Sequence, residues 1–211
     1  MDNRGYFIVF EGCDGCGKTT QTELLRAAIA RATGRSCIYE REPDLRNIAG
    51  AIIRSALHGG VKVLPESMAY LHVADRLEHI DFLLPILNSG TSVVCDRYYL
   101  SNMAYNSTSR ISMEQVYELN RPCFETLRPD LFVFLDVPPE VTKLRRTSER
   151  ADSEIYDADE KQIRIRGNYL DAIEFLRTQG ERIVVIDATR SIEEVAEDIR
   201  TSVFSALGIE A

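Results

Sequence analysis

Gly12, Gly17, Lys18 and Thr19 stand at the spacing Gly-x4-Gly-Lys-Thr, directly after the apolar run Tyr6-Phe7-Ile8-Val9-Phe10. These residue types at this spacing suit the holding of a phosphate chain. Glycines let the main chain bend and approach oxygens with no Cβ in the way. The amides that open the next helix point at phosphate, and the helix dipole favours its negative charge. The main chain through Gly12, Asp14, Gly15, Cys16, Gly17, Lys18, Thr19 and Thr20 is therefore read as the cradle of that phosphate chain. Lys18 reaches the β- and γ-phosphates, and the Thr19 hydroxyl ligates Mg²⁺. The plain alternative is a glycine-rich turn between strand and helix, with Lys18 as an ordinary surface lysine.

Asp96-Arg97-Tyr98 closes a second apolar run. A carboxylate there holds Mg²⁺ through water or orients the attacking group, and the adjacent guanidinium clamps a phosphate with paired bonds. Alone, the pair fits a strand-end salt bridge better; beside a phosphate loop the reactive reading is favoured instead. Arg76, after Asp75, either reads a ligand carbonyl or bridges to Glu on an exposed face. Residues 143–150 hold four positive charges in an otherwise acidic chain. That segment is either an arginine-bearing flap over a transferring phosphoryl group or the solvent-facing end of a helix.

Strand-like and helix-like stretches alternate to position these groups. Residues 6–11, 36–41, 91–96, 131–136 and 182–187 read as short, mostly apolar strands, as in a parallel sheet covered on both faces. Helices are expected at 19–33 with Gly34 as its stop, at 65–88 with Pro85 kinking or shortening its end, at 112–127 with a break near Pro122, at 159–179 and at 191–206. Ser112 with Gln115 and Ser191 with Glu194 form capping boxes. The alternation implies right-handed β-α-β units in an α/β fold of three layers, α/β/α, with ligands beyond the carboxyl ends of the strands. One domain spans 1–211.

The chain has 211 residues and a net charge of −8, which disfavours a nucleic acid polymer as partner and suits small phosphorylated ligands held in one cleft. No run is long enough to cross a membrane, and no signal-peptide pattern opens the chain, so a cytoplasmic protein is expected. Five cysteines, an odd number, read as free thiols; Cys13 and Cys16 make a C-x-x-C inside the phosphate loop, taken as coincidence rather than a redox pair. No His/Cys spacing suggests a metal site, and no Gly-x-Ser-x-Gly elbow is present.

Taken in order, the pieces resemble the thymidylate kinase family over nearly the whole chain. They are Phe7-Ile8-Val9-Phe10-Glu11-Gly12 into Gly17-Lys18-Thr19-Thr20-Gln21, then Arg41-Glu42-Pro43, Ala74-Asp75-Arg76-Leu77-Glu78-His79, Asp96-Arg97-Tyr98 with Ser101 and Ala104-Tyr105, and Pro129-Asp130-Leu131 leading to Leu135-Asp136-Val137. The resemblance implies a P-loop NTPase fold with a five-stranded parallel sheet ringed by helices, transfer from ATP to dTMP with Mg²⁺, and a homodimer. It implies that Asp14 binds the acceptor's 3′-hydroxyl, Arg97 its phosphate, Arg76 the thymine carbonyl and Asn102 the N3 region. Tyr105 crowds the 2′ position, and Asp96 organises Mg²⁺ and the phosphates. Arg145 lies near adenine, and Arg190, after the last strand, belongs to the same pocket. Pro43, Arg41 and Arg46 follow strand two on the acceptor side. Gly15 stands where some members carry a catalytic arginine, so that charge is expected from a lid at about 143–157, with Arg150 first and Arg146 second. His72 stands where the family has a Phe that stacks on thymine; as neutral imidazole it offers a flat face, and its charging at low pH is expected to weaken dTMP binding.

Two other readings remain open at this stage. One is a related kinase of another nucleoside or nucleotide. The other is a nucleotide-timed switch, which lacks here the guanine-reading Asn-Lys-x-Asp. A scaffold without activity is disfavoured because Lys18, Thr19, Asp96 and Arg97 are all present.

Overall fold

The computed structural model describes residues 4–146 and 155–210, with side chains outside 144–146 and 155–159. Five strands, β1 (Phe7–Glu11), β2 (Cys37–Arg41), β3 (Ser92–Asp96), β4 (Leu131–Asp136) and β5 (Ile183–Asp187), pair in parallel in the order β2-β3-β1-β4-β5. Each lies within one residue of its expected bounds. The strands inside the sheet are buried almost throughout, whereas the edge strands β2 and β5 alternate or open to solvent. The sheet's own geometry thus explains why the middle strands read as continuous apolar runs.

Because side chains alternate along a strand, β1 feeds two cores. Phe7 and Val9 enter one, with Leu83, Leu87, Tyr98, Tyr99, Phe132 and Tyr169. Ile8 and Phe10 enter the other, with Leu25, Ile29, Val195 and Val203. Full burial of side chains this size contributes roughly 1.5–3 kcal/mol each, so both helical layers are held to the sheet. The second core is closed by α1 (Lys18–Thr33) and α9 (Ile192–Leu207). The first is closed by α3 (Pro65–Asn88), α4 (Tyr99–Asn106), α5 (Met113–Leu119), α6 (Arg121–Thr126) and α8 (Ile155–Thr178).

Local signals end most helices where the sequence places them. Gly34 takes the left-handed conformation after α1, at φ 65°. Both expected capping boxes are formed, at the starts of α5 and α9. The break near Pro122 is real: Asn120 ends α5 and begins α6. For α3 the sequence reading holds in its span: the helix runs through Pro85 to Asn88, so Pro85 does not shorten it. Pro85 lies on the exposed face, where the carbonyl of Asp81, which it leaves without a helical donor, meets water. Three helices are additional to that reading: α2 (Ile48–Leu57), α4 and α7 (Pro139–Arg146). Among the described residues no helix is long and apolar enough to cross a membrane.

Candidate active site

Every strand ends on the same edge of the sheet, and parallel register lines those ends up. Phe10 and Arg41 both pair with Asp96, and Asp136 pairs with Asp187. The loop leaving β1 enters α1 through Gly17, whose φ of 98° suits glycine. Gly12 is fixed by space as well: a Cβ there would lie 2.8 Å from both the Cys16 sulfur and the Leu135 carbonyl oxygen. Asp14, Gly15, Thr19 and Thr20 are exposed on this edge.

Lys18 is buried and folds back across the loop. Its ammonium donates to the carbonyls of Gly12 (3.0 Å) and Cys13 (3.3 Å) and stands 4.0 Å from Asp96 Oδ1. That oxygen is buried and has no hydrogen-bond partner. Leaving such an atom unpaired is costly, and a cation ligated there removes the cost. Asp96 therefore fits Mg²⁺, and Thr19, exposed at the start of α1, is the hydroxyl offered beside it by the sequence pattern. Among the described residues no group of three His, Cys, Asp or Glu side chains is placed to hold a metal. Mg²⁺ needs no such cage, since it is ordinarily held by one or two carboxylates together with substrate phosphates and water.

Arg97 faces the same loop. Its backbone sits at φ 75°, left-handed and rare for a non-glycine residue. Its guanidinium donates to Asp14 (2.5 Å) and Tyr105 (3.3 Å) through Nη2, and to Ser101 and Tyr169 (3.1 Å each) through Nη1. The sequence-predicted trio Asp14, Arg97 and Tyr105 is thus one contact group. Asn102 is buried; its Nδ2 donates to the Ala69 carbonyl (3.2 Å), and its Oδ1 accepts from Asn106 (2.8 Å).

Arg76 lies beneath this surface, 1% exposed. Its Nη2 donates to Glu42 (2.5 Å), its Nη1 donates to Asn120, and its guanidinium lies 4.8 Å from the Tyr98 ring. Glu42 also meets His79 Nδ1 at 3.4 Å, and His79 Nε2 meets Glu40 at 3.3 Å. Burial works against charge on His79, but the two carboxylates win and raise its pKa to about 9. Burial opposes charge on Glu42 too, yet Arg76 and His79 hold its carboxyl below the ordinary range. His72 is half-buried at the opposite extreme: burial, then the charge on Arg76, push its pKa down to about 4.

The other predicted residues have simpler surroundings. Arg41 is exposed at the end of β2, and Pro43, half-buried, follows a cis peptide bond. Arg46 is paired with Glu40 (2.5 Å) and Asp44 (2.8 Å) and lies over the Phe82 ring at 3.8 Å. Arg190 is paired with Asp198 of α9. Arg150 and the side chains of Arg145 and Arg146 lie outside the described residues. Cys13 belongs to one core and Cys16 to the other. Burial raises both thiol pKa values, that of Cys13 to about 11.

Sequence reasoning gave no role to Glu11, Tyr169, Glu42 or His79. Glu11 did carry a signal, as an acid ending an otherwise apolar strand. Tyr169 carried none, since α8 brings it to Arg97 across 72 residues.

A parallel sheet of this order, a glycine-bounded loop over a buried lysine, and an acid-arginine pair at the next strand end define a P-loop phosphotransferase fold. The family model described as thymidylate kinase matches residues 10–199. Thymidylate kinases similar to this chain include that of Symbiobacterium thermophilum, 36% identical over 95% of this chain and 94% of that protein. Those of Limosilactobacillus fermentum (34% identical, covering 94% of each) and Bifidobacterium longum (35%, covering 94% of this chain and 97% of that one) are further examples. The chain belongs to the thymidylate kinase family.

Proposed function

We infer that this chain transfers the γ-phosphoryl group of ATP to dTMP, giving ADP and dTDP. One observation supports it most: a single loop carries Lys18, 4.0 Å from Asp96, and, four residues earlier, Asp14, 2.5 Å from Arg97. A donor's phosphates on the loop and an acceptor's phosphate on Arg97 then meet end to end. The acceptor is a phosphate monoester, an adequate nucleophile at neutral pH, so no strong base and no covalent enzyme intermediate are needed. Catalysis comes from positioning and charge neutralisation by Lys18, Arg97 and the lid arginines. Thr19 and Asp96 would hold Mg²⁺, which when bound would supply neutralising charge at the phosphate oxygens. A coupled ADP-release assay with dTMP, dUMP, dGMP, dCMP and AMP tests the reading; preference for any acceptor other than dTMP overturns it.

On the acceptor side, Asp14 takes the 3′-hydroxyl and Tyr105 the space beside C2′; Arg76, whose buried Nε has no partner, and Asn102 border the base. Pro43, Arg41 and Arg46 border the same side. Arg145 and Arg190 border adenine. Arg150, with Arg146 behind it, supplies the lid's transition-state charge; Arg150→Ala is expected to lower turnover at least ~10²-fold, and unchanged turnover removes it from the mechanism.

His72 lies against the base as a neutral ring. The low pKa moves the expected pH response. The imidazole stays uncharged from pH 8 to 5, and its share of binding falls only as pH drops through about 4. Thymidine carries no phosphate to titrate, so the ratio of its affinities for wild type and His72→Phe is expected to hold constant from pH 8 to 5. A ratio that changes near pH 6.5 contradicts this.

The homodimer is supported by an apolar surface on α2 and α3. Ile48 is 79% exposed and Leu57 63%, and a groove of about 510 Å³ between the two helices is lined by Ile48, Ile52, Leu71 and Ala74 together with Arg46, Asn47 and Glu78. A monomer by sedimentation at micromolar concentration counts against it. We place the protein in the cytoplasm, as the lack of any membrane-crossing helix among the described residues allows.

A further inference from the structure

Glu11, the last residue of β1, is fully buried and lies one residue before the phosphate loop. Its carboxylate accepts four hydrogen bonds. Oε1 takes the backbone N–H groups of Tyr98 (2.8 Å) and Ser101 (3.1 Å). Oε2 takes the hydroxyls of Ser101 and Tyr169, the latter at 3.2 Å. These are the same two hydroxyls that accept from Arg97 Nη1.

We propose that Glu11 is the positioning residue for Arg97, acting on both its backbone and its guanidinium. The proposal rests on the reading of Arg97 as the acceptor-phosphate ligand.

The backbone role follows from the left-handed conformation of Arg97. Residues on either side of its Cα are pinned to the end of β1: Arg97 N–H donates to the Phe10 carbonyl (2.9 Å), and Tyr98 N–H donates to Glu11. The two bonds hold a conformation that a non-glycine residue leaves readily. Glu11 also satisfies first-turn amides of α4, whose start has no side-chain cap of its own.

The side-chain role follows from counting protons. A hydroxyl has one proton to give. Ser101 gives its proton to Oε2. Tyr169 lies 2.8 Å from Ser101 Oγ and gives its proton either there or to Oε2. In both cases the lone pairs of the two oxygens are left for Arg97. Burial raises the pKa of Glu11 to about 7, so above that pH it is a carboxylate, which accepts only and so enforces this order. An amide in its place cannot: its NH₂ would donate to the hydroxyls and turn their protons toward the guanidinium, or, flipped, would face the two backbone N–H groups.

The test measures what the phosphate adds to binding, as the ratio of dTMP to thymidine affinity by calorimetry. In Glu11→Gln that ratio is expected to fall on the order of 10- to 100-fold, with thymidine and ATP affinities unchanged. The double variant Ser101→Ala/Tyr169→Phe keeps Glu11 and its backbone bonds, and it carries the test where Glu11→Gln does not fold. It removes both acceptors from Arg97 and is expected to lose the same ratio. A full ratio retained in either variant overturns the role of Glu11, as does an equal loss for thymidine and dTMP. A wild type that binds dTMP no better than thymidine instead overturns the acceptor reading itself.

Discussion

In a Lys18→Ala variant, phosphoryl transfer from ATP to dTMP is expected to fall by roughly 10³-fold, the scale of a lost preorganised cation at a transferring phosphoryl group. The effect belongs to catalysis because of how Lys18 is held. Its ammonium is already desolvated and tied to two loop carbonyls beside Asp96. On the proposed reading it would turn from those carbonyls to the transferred group, and a charge in a water-poor site acts more strongly than one in solvent. The loop should survive the change, since glycine geometry and the first turn of α1 shape it. A coupled assay gives the turnover, a thermal melt checks the fold, and dTMP affinity should be untouched because Arg97 and Asp14 remain. A loss below tenfold would show that the lysine does not serve transfer.

The second large effect is on stability. Arg76→Leu is expected to cost about 3–5 kcal/mol, the range for a buried ion pair stripped of one partner, and to lower the melting midpoint by roughly 10 °C. Glu42 would stay buried with only His79 to balance it, and Asn120 would lose its donor. The pH dependence of the cluster has a definite sign. His79 titrates at about 9 in the fold against an ordinary 6.5, so its contribution is complete below 6.5 and is lost as pH rises through 9. Glu42 is held below its ordinary 4.5, so its contribution is complete above 4.5 and is lost in acid. The cluster is therefore most stabilising between about pH 4.5 and 6.5. Melts of wild type and Arg76→Leu across pH 5 to 10 check both the size and the slope; equal midpoints would refute the assignment.

The elements that announced themselves in sequence are those whose cause is local. The five strands are short apolar runs because the sheet is covered on both faces. Capping boxes at Ser112 and Ser191, and Gly34 in its left-handed place, depend on residues within four positions. The phosphate loop is likewise a local pattern. What escaped depends on distant partners. The start of α4 is satisfied by Glu11, 90 residues from Ser101, so no nearby signal marks that helix. Whether Pro85 shortens α3 depends on the face it occupies, which the sequence alone does not show. Arg76 reads in sequence as a helix-surface charge or a ligand contact; only the fold shows it seated on Glu42, with His79 and Glu40 behind. The three residues that meet at Arg97 were named together through resemblance, but the support of Arg97 by Ser101 and Tyr169 was not legible, because α8 supplies Tyr169 from far along the chain.

The seating of Cys13 and Cys16 in opposite halves of the interior bears on how the protein is handled. To join their sulfurs, at least one side chain would have to leave the apolar layer it packs in. All five thiols are buried. Air oxidation of the intact enzyme therefore has little to act on, and labelling by a thiol reagent reports the opening of the molecule rather than chemistry at the nucleotide.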